Sequence, residues 1–346
     1  MKELVMKLKC HTPWCKYEYD ENPDLTLEEL EQRFFNDTHN FHCNGICDIK
    51  FSNLGKITIS FIEEKTLEEI RDISAILLYF ISICNGFNCE YAPNVTIDSK
   101  EYKDFFSFAP EDTTQYPLLK NLKFYDVSLQ EIKDNFGNML CNLLSVNNRR
   151  YYLSLLSNYY SLLVYKDFIG NGEYRFRNIV TVFESLATIM FYETKYKQVE
   201  AQNNEYFAQA RERLSNKSCT ICANIDKQYT FSKTKTDAQI MPKSVSLETK
   251  LQDIFNYAQK FGLFFKRPLS NECKRIAYTR NFISHLFTPN NNLLNREEMS
   301  TYTAAFKILF RMVFLSYCGV DTDLIKRNFL RNEPIRQTLN EIFDFN

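Results

Sequence analysis

No run of apolar residues in the 346-residue chain is long enough to cross a membrane. Ile73 to Cys84 falls well short of the ~20 residues that a spanning helix needs, and Phe306 to Cys318 is interrupted by Lys307 and Arg311. No secretory h-region opens the sequence, because Lys2, Glu3 and Lys7 stand where one would begin. The expectation is a cytoplasmic protein whose eleven cysteines are reduced thiols, an odd number that cannot all pair internally. An excess of one charge is also missing: 42 basic against 43 acidic residues give a formal charge of −1. A nucleic acid would therefore have to be met by a local basic patch rather than by a global field. There is one tryptophan, but 30 phenylalanines and 21 tyrosines are enough for a sizeable core. Glycine-rich phosphate loops, Walker-type sequences and G-x-S-x-G elbows are absent from the sequence.

Periodicity divides what is present into two parts. Residues 1–125 read as a mixed α/β domain. Leu4, Met6, Leu8 and Cys10 alternate, as do Cys47, Ile49 and Phe51 and then Ile57, Ile59 and Phe61, which is the pattern of half-buried strands. The turn-forming Ser52-Asn-Leu-Gly55 between the last two predicts a hairpin. Thr26-x-x-Glu29 and Thr66-x-x-Glu69 are capping boxes, the second opening a long apolar helix that ends near Asn85-Gly86. Two further strands are expected around 94–98 and 102–108.

From Ser128-x-x-Glu131 onward the period is helical, so residues 126–346 read as an all-α domain and the whole chain as α+β. The expected helices cover roughly 129–147, 150–169, 174–214, 247–262, 269–287, 297–319 and 333–344. A polar, Lys/Thr/Ser-rich insertion without a period occupies 216–246. Insertions this long are commonly functional or mobile.

Among four histidines, His285 stands in a helix together with Arg280 and Asn281. At 100° per residue, Ile276, Thr279, Phe282, Ile283, Leu286 and Phe287 form an apolar stripe, and Lys274, Tyr278, Asn281, Ser284 and His285 lie opposite. Arg280 is roughly 140° around from His285, so one helix does not present both on one face. A second copy of the helix across a twofold axis would gather two histidines and two arginines in one cleft. A histidine near its reference pKa of about 6.5 can accept or donate a proton, and arginine can stabilise charge on a phosphate. Glu184 is the one charged residue between Ile179 and Tyr192 and is placed to orient Arg280 or another base, or else to lie on a solvated helix edge. Lys266, Arg267, Lys274 and Arg275 are candidates for following an RNA backbone, or a solvated face.

Thr279-Arg-Asn-Phe-Ile-Ser-His285 resembles the R-x(4–6)-H motif of the HEPN superfamily, and the wider pattern resembles ApeA-like HEPN proteins of bacterial anti-phage defence. Lys56 to Ile97 and Val180-Thr-Val-Phe-Glu-Ser-Leu-Ala187 carry further likeness. The resemblance implies an all-helical, metal-independent endoribonuclease with Arg280, Asn281 and His285 catalytic and Glu184, Ser284 and Tyr278 in support. It also implies a homodimer or higher homo-oligomer, an RNA substrate such as tRNA, a phage-derived trigger and no cofactor in catalysis. The alternative is a catalytically silent HEPN-like domain for dimerisation or partner binding. Zinc, if bound, would be structural: Cys219-x-x-Cys222 is half a site, and Cys10, Cys15, Cys43 and Cys47 could supply four ligands, although Cys10 and Cys47 also fit strand alternation.

Overall fold

The computed structural model describes residues 1–7, 39–43, 45–52, 56–86, 94–103, 105, 127, 129–145, 149–164, 172–202, 205, 245–285 and 293–345. Two compact units result. One is formed by Met1–Val182, Ala258–Lys266 and Asn295–Asn346, the other by Phe183–Tyr257 and Arg267–Leu294. This division by packing differs from the compositional one at 125/126, because helices beyond residue 126 build the same core as the N-terminal sheet.

In the first unit the alternating residues form strands β1 (Glu3–Lys7), β3 (Cys47–Ser52) and β4 (Lys56–Phe61). Joined by β2 (His39–Cys43), β5 (Val95–Ile97) and β6 (Lys100–Tyr102), they make an antiparallel sheet of order β2-β3-β4-β1-β5-β6. The β3–β4 pairing matches Cys47 with Phe61 and Ile49 with Ile59, which is the hairpin expected from the sequence. Leu4, Met6, Phe41, Ile49, Phe51, Ile57 and Ile59 are buried on one face. Helix α1 (Leu67–Asn85) packs in the same core through Ile70, Ile73, Leu77 and Phe80. Its capping box is complete, with Thr66 Oγ1 accepting from the Glu69 N–H at 3.2 Å and Glu69 Oε2 accepting from the Thr66 N–H at 3.0 Å. Gly86 closes it at φ 76°, a left-handed position that suits glycine.

Helices α2 (Leu129–Leu144) and α3 (Arg149–Val164) follow. Phe136 of α2 is the hub of this core, with ring centroids 4.6 Å from Phe41, 5.9 Å from Phe51 and 5.8 Å from Phe80. Beside it, a Cβ on Gly137 would lie 2.7 Å from the His42 carbonyl oxygen, so strand β2 can approach α2 only at glycine. Cys43 and Cys47 are buried opposite each other in the β2–β3 register, and Cys43 Sγ donates to the Gly137 carbonyl at 3.6 Å. They are core residues here. Cys10, Cys15, Cys219 and Cys222 lie outside the described residues, as do the Thr26 capping box and most of the 216–246 insertion. Among the described residues no three His, Cys, Asp or Glu side chains come together as a metal would require.

The first half of α4 (Gly172–Phe191) belongs to this unit. After the second unit's helices α5 (Leu247–Ala258) and α6 (Leu269–His285) comes α7 (Arg296–Tyr317), then α8 (Thr322–Arg331) and α9 (Glu333–Asn340). Helix α7 is buried along most of its length. Phe310 stacks on Tyr159 at 4.2 Å, and the Tyr159 hydroxyl donates to the Lys307 carbonyl at 2.9 Å. Among the described residues no helix is long and apolar enough to cross a membrane.

Three expectations are corrected. Residues 343–345 are strand β8 (Phe343–Phe345), not the end of a helix, and pair with β7 (Leu263–Phe265). Three-residue strands carry no readable period, and their pairing is fixed only when distant segments meet. Helix α8 fills an interval read as a connection. The long helix expected over 174–214 leaves α-geometry at Tyr192–Tyr196, where a π-helical turn intervenes.

Gly137→Ala is expected to destabilise the protein by about 1–3 kcal/mol in urea unfolding, because backbone must shift to admit the methyl group. Helix propensity alone predicts a gain of about 1 kcal/mol, so the sign decides. The Thr66 backbone amide and hydroxyl, with Lys65 and Arg149 nearby, hold the Glu69 carboxyl below its usual range. Its stabilising contribution is full above the unfolded pKa and lost as pH falls through the lowered folded value. Glu69→Gln should therefore flatten the acid limb of a stability–pH curve below about pH 5.

Candidate functional site

The second unit brings the end of α4, α5 and α6 together around a buried aromatic contact, Phe183 on Phe255, with centroids 5.9 Å apart. Leu186, Leu251, Ile254, Cys273 and Ile276 are buried with them. Helix α6 starts after Pro268, whose carbonyl accepts from the Asn271 and Glu272 N–H groups at 3.0 and 3.1 Å. Proline pre-sets the backbone for such a start.

Among the described residues, the buried side of α6 overlaps the apolar stripe expected from the helical wheel at Ile276 and Thr279 only. It carries Glu272, Cys273, Ile276, Ala277 and Thr279, whereas Phe282 and Ile283 are only half-buried. Leu286 and Phe287 lie outside the described residues. Glu272 is 1% exposed and so needs cationic partners, which it finds in Arg275 Nη1 at 3.3 Å and Arg267 Nη1 at 3.6 Å. Two of the four expected RNA-following bases thus serve a buried carboxylate. Lys274 is exposed on α6, and Lys266, also exposed, belongs to the first unit, where its N–H donates to the Ile342 carbonyl at 3.1 Å.

Arg280 is the centre of the polar side. Its Nη2 donates to Glu184 Oε2 at 2.9 Å and its Nη1 to Asn281 Oδ1 at 3.0 Å. Its Nε is buried without a hydrogen-bond partner among the described residues. Lys250 of α5 adds a second cation to the same carboxylate, Nζ to Glu184 Oε1 at 3.5 Å. Four polar side chains from three helices thus form one network: Lys250, Glu184, Arg280 and Asn281. Tyr278 and Ser284 lie half-buried on α6. His285 closes that helix, one turn beyond Asn281, and its side chain lies outside the described residues.

Thr279, immediately before Arg280, fixes the following chain. Its buried hydroxyl donates to the Arg275 carbonyl at 2.8 Å and accepts from the Leu294 N–H at 3.0 Å. At the other end of the unit, the π-helical turn Tyr192–Tyr196 directs two side chains onto Asp253 of α5. Lys195 Nζ is 2.5 Å and the Tyr196 hydroxyl 2.9 Å from its carboxylate. Burial and that bond hold the Tyr196 phenol above the usual tyrosine range.

Residues 178–324, which include Glu184, Lys250, Arg280, Asn281 and His285, match the family model described as Apea-like HEPN. The chain carries an Apea-like HEPN domain. No curated protein and no solved structure matches the chain. Within the HEPN domain, the Arg and Asn of the motif are hydrogen-bonded to each other and anchored to α4. Sequence reasoning missed Lys250, Glu272 as a buried anchor, and the Thr279 tie. A lysine on an amphipathic helix and a threonine on an apolar stripe give no local signal of such partners.

Thr279→Val keeps the shape but leaves the buried Leu294 N–H without its acceptor. The expected cost is about 1–3 kcal/mol in thermal or urea unfolding, with faster hydrogen exchange at Leu294. Unchanged exchange there would show that the tie does not hold the chain.

Proposed function

We propose that the protein is an endoribonuclease that cleaves RNA without a metal, acting in the cytoplasm in anti-phage defence. The single observation that carries this reading is the Arg280 guanidinium, oriented by Glu184 and Asn281 on the helix that His285 ends, inside the HEPN match. Chemically, RNA supplies its own nucleophile. A base takes the 2′-OH proton, the 2′-oxygen bonds to the adjacent phosphorus, and the P–O5′ bond breaks. An acid protonates the leaving 5′-oxygen, giving a 2′,3′-cyclic phosphate and a 5′-hydroxyl.

His285 is the group of this motif able to move those protons near neutral pH. Arg280 is always charged and carries five N–H donors, so it can keep its bonds to Glu184 and Asn281 while offering others to the phosphate. Since the reaction needs one base and one acid, two copies of α6 across a twofold axis would supply both histidines, which makes a homodimer the expected working form. Exposed Lys274 is available to a phosphate of the same strand. Unstacked loops, such as those of tRNA, suit in-line attack best. A phage-derived trigger would release the activity.

Purified protein incubated with total cellular RNA in EDTA should produce fragments ending in 2′,3′-cyclic phosphate. His285→Ala and Arg280→Ala should each reduce cleavage by about 100-fold or more while the circular dichroism spectrum is retained. Fragments with 5′-phosphate and 3′-hydroxyl ends would point instead to a metal-activated water. Cleavage indifferent to His285→Ala would favour a silent dimerisation domain.

A further inference from the structure

Glu184 is the point where cations from two different helices meet. Its Oε2 accepts from Arg280 and its Oε1 from Lys250, at 2.9 and 3.5 Å. The Lys250 side chain is only 13% exposed and that of Glu184 28%, so this is no loose surface pair. We propose that Lys250 is a positioning residue for Arg280 and acts through Glu184. The proposal rests on the reading of Arg280 as the group that stabilises charge on the scissile phosphate.

The reason lies in the torsional freedom of a glutamate. Its last side-chain torsion has broad wells, so a carboxylate held at one oxygen can turn and carry its partner with it. A second cation on the other oxygen removes that freedom. On the arginine side, Nε makes no hydrogen bond among the described residues, and orientation comes through the two Nη groups, to Asn281 and to Glu184. Half of that orientation is therefore only as firm as the carboxylate. Lys250 also changes the charge balance. Arg280 and Glu184 alone would be a neutral pair, a poor site for a phosphate. With Lys250 the trio keeps a net positive charge, and each bond within it is charge-assisted.

The test uses the full-length protein, with Lys250→Met and Lys250→Arg compared against wild type. Arginine side-chain 15N–1H spectra, with Arg280 assigned by an Arg280→Lys variant, read the guanidinium directly. Steady-state cleavage of RNA reads the consequence. In Lys250→Met the Arg280 Nη signals, separate when the group is held, should merge through free rotation. In the same variant kcat should fall about tenfold or more, with KM changed by less than about twofold. Lys250→Arg should restore both.

A wild-type Arg280 spectrum in Lys250→Met overturns the proposal, as does an altered spectrum with unchanged kcat. If wild type and His285→Ala cleave alike, the ribonuclease reading falls, and the Arg280 spectrum alone then decides whether Lys250 positions it. Should Lys250→Met fail to fold, Lys250→Gln is measured by the same two readouts.

Discussion

A carboxylate on an otherwise apolar stretch of helix organises the second unit. Between Ile179 and Tyr192 the one charged side chain is Glu184, and it draws Lys250 from α5 and Arg280 from α6 onto α4. Taking charges out of water costs much of what their attraction returns, so even a largely buried contact like this one is not mainly a source of stability. Its effect is geometric. The apolar contacts among Phe183, Phe255 and Ile276 can hold three helices together in many small variations of register, whereas directed bonds to one carboxylate select among them. The motif arginine thereby acquires a defined direction.

A similar contrast between bulk and directed contacts runs through the first unit. Phe136 gathers α1, β2 and β3 by area alone, but the neighbouring Gly137 sets how near the strand can come. Removing bulk at one position lets backbone meet helix, and the Cys43 thiol adds a bond to the carbonyl of that same glycine. Cys43 and Cys47 are both fully buried at this contact, where a cysteine packs as a small side chain with a weak donor.

The parts of this arrangement legible in the sequence are the local ones. Alternation marks β3 and β4, the Thr66 box marks the start of α1, and Gly86 marks its end, because each signal is contained within a few residues. The Arg280-Asn281-x-x-x-His285 spacing is likewise local, and Glu184 draws notice as a lone charge. What stays hidden depends on distant segments meeting. The short His-Asn-Phe-His-Cys strand β2 reads as polar, the β7–β8 pair joins residues far apart in sequence, and the role of Lys250 exists only once α5 lies against α4. Glu272 illustrates the opposite error. A helical wheel assigns charge to the outside, but a carboxylate with two arginines beside it can go in.

The π-helical turn at Tyr192–Tyr196 has its own consequence for how this chain can vary. In an uninterrupted α-helix residue 196 would lie about 120° around from residue 184. A wider turn advances less per residue and takes up much of that offset, so that Glu184 and Tyr196 can both address α5, one at Lys250 and the other at Asp253. The two ends of the segment are thus phased by its length as much as by its composition. Loss of a single codon within the turn ahead of Tyr196 would yield a regular α-helix with Tyr196 eleven residues from Glu184, about 20° around, and so still on the side that faces α5; the same loss in the α-helical part, with the turn kept, would rotate Tyr196 by about 100° off its partner. The turn is thus the place along this stretch where a change of one residue in length can be absorbed.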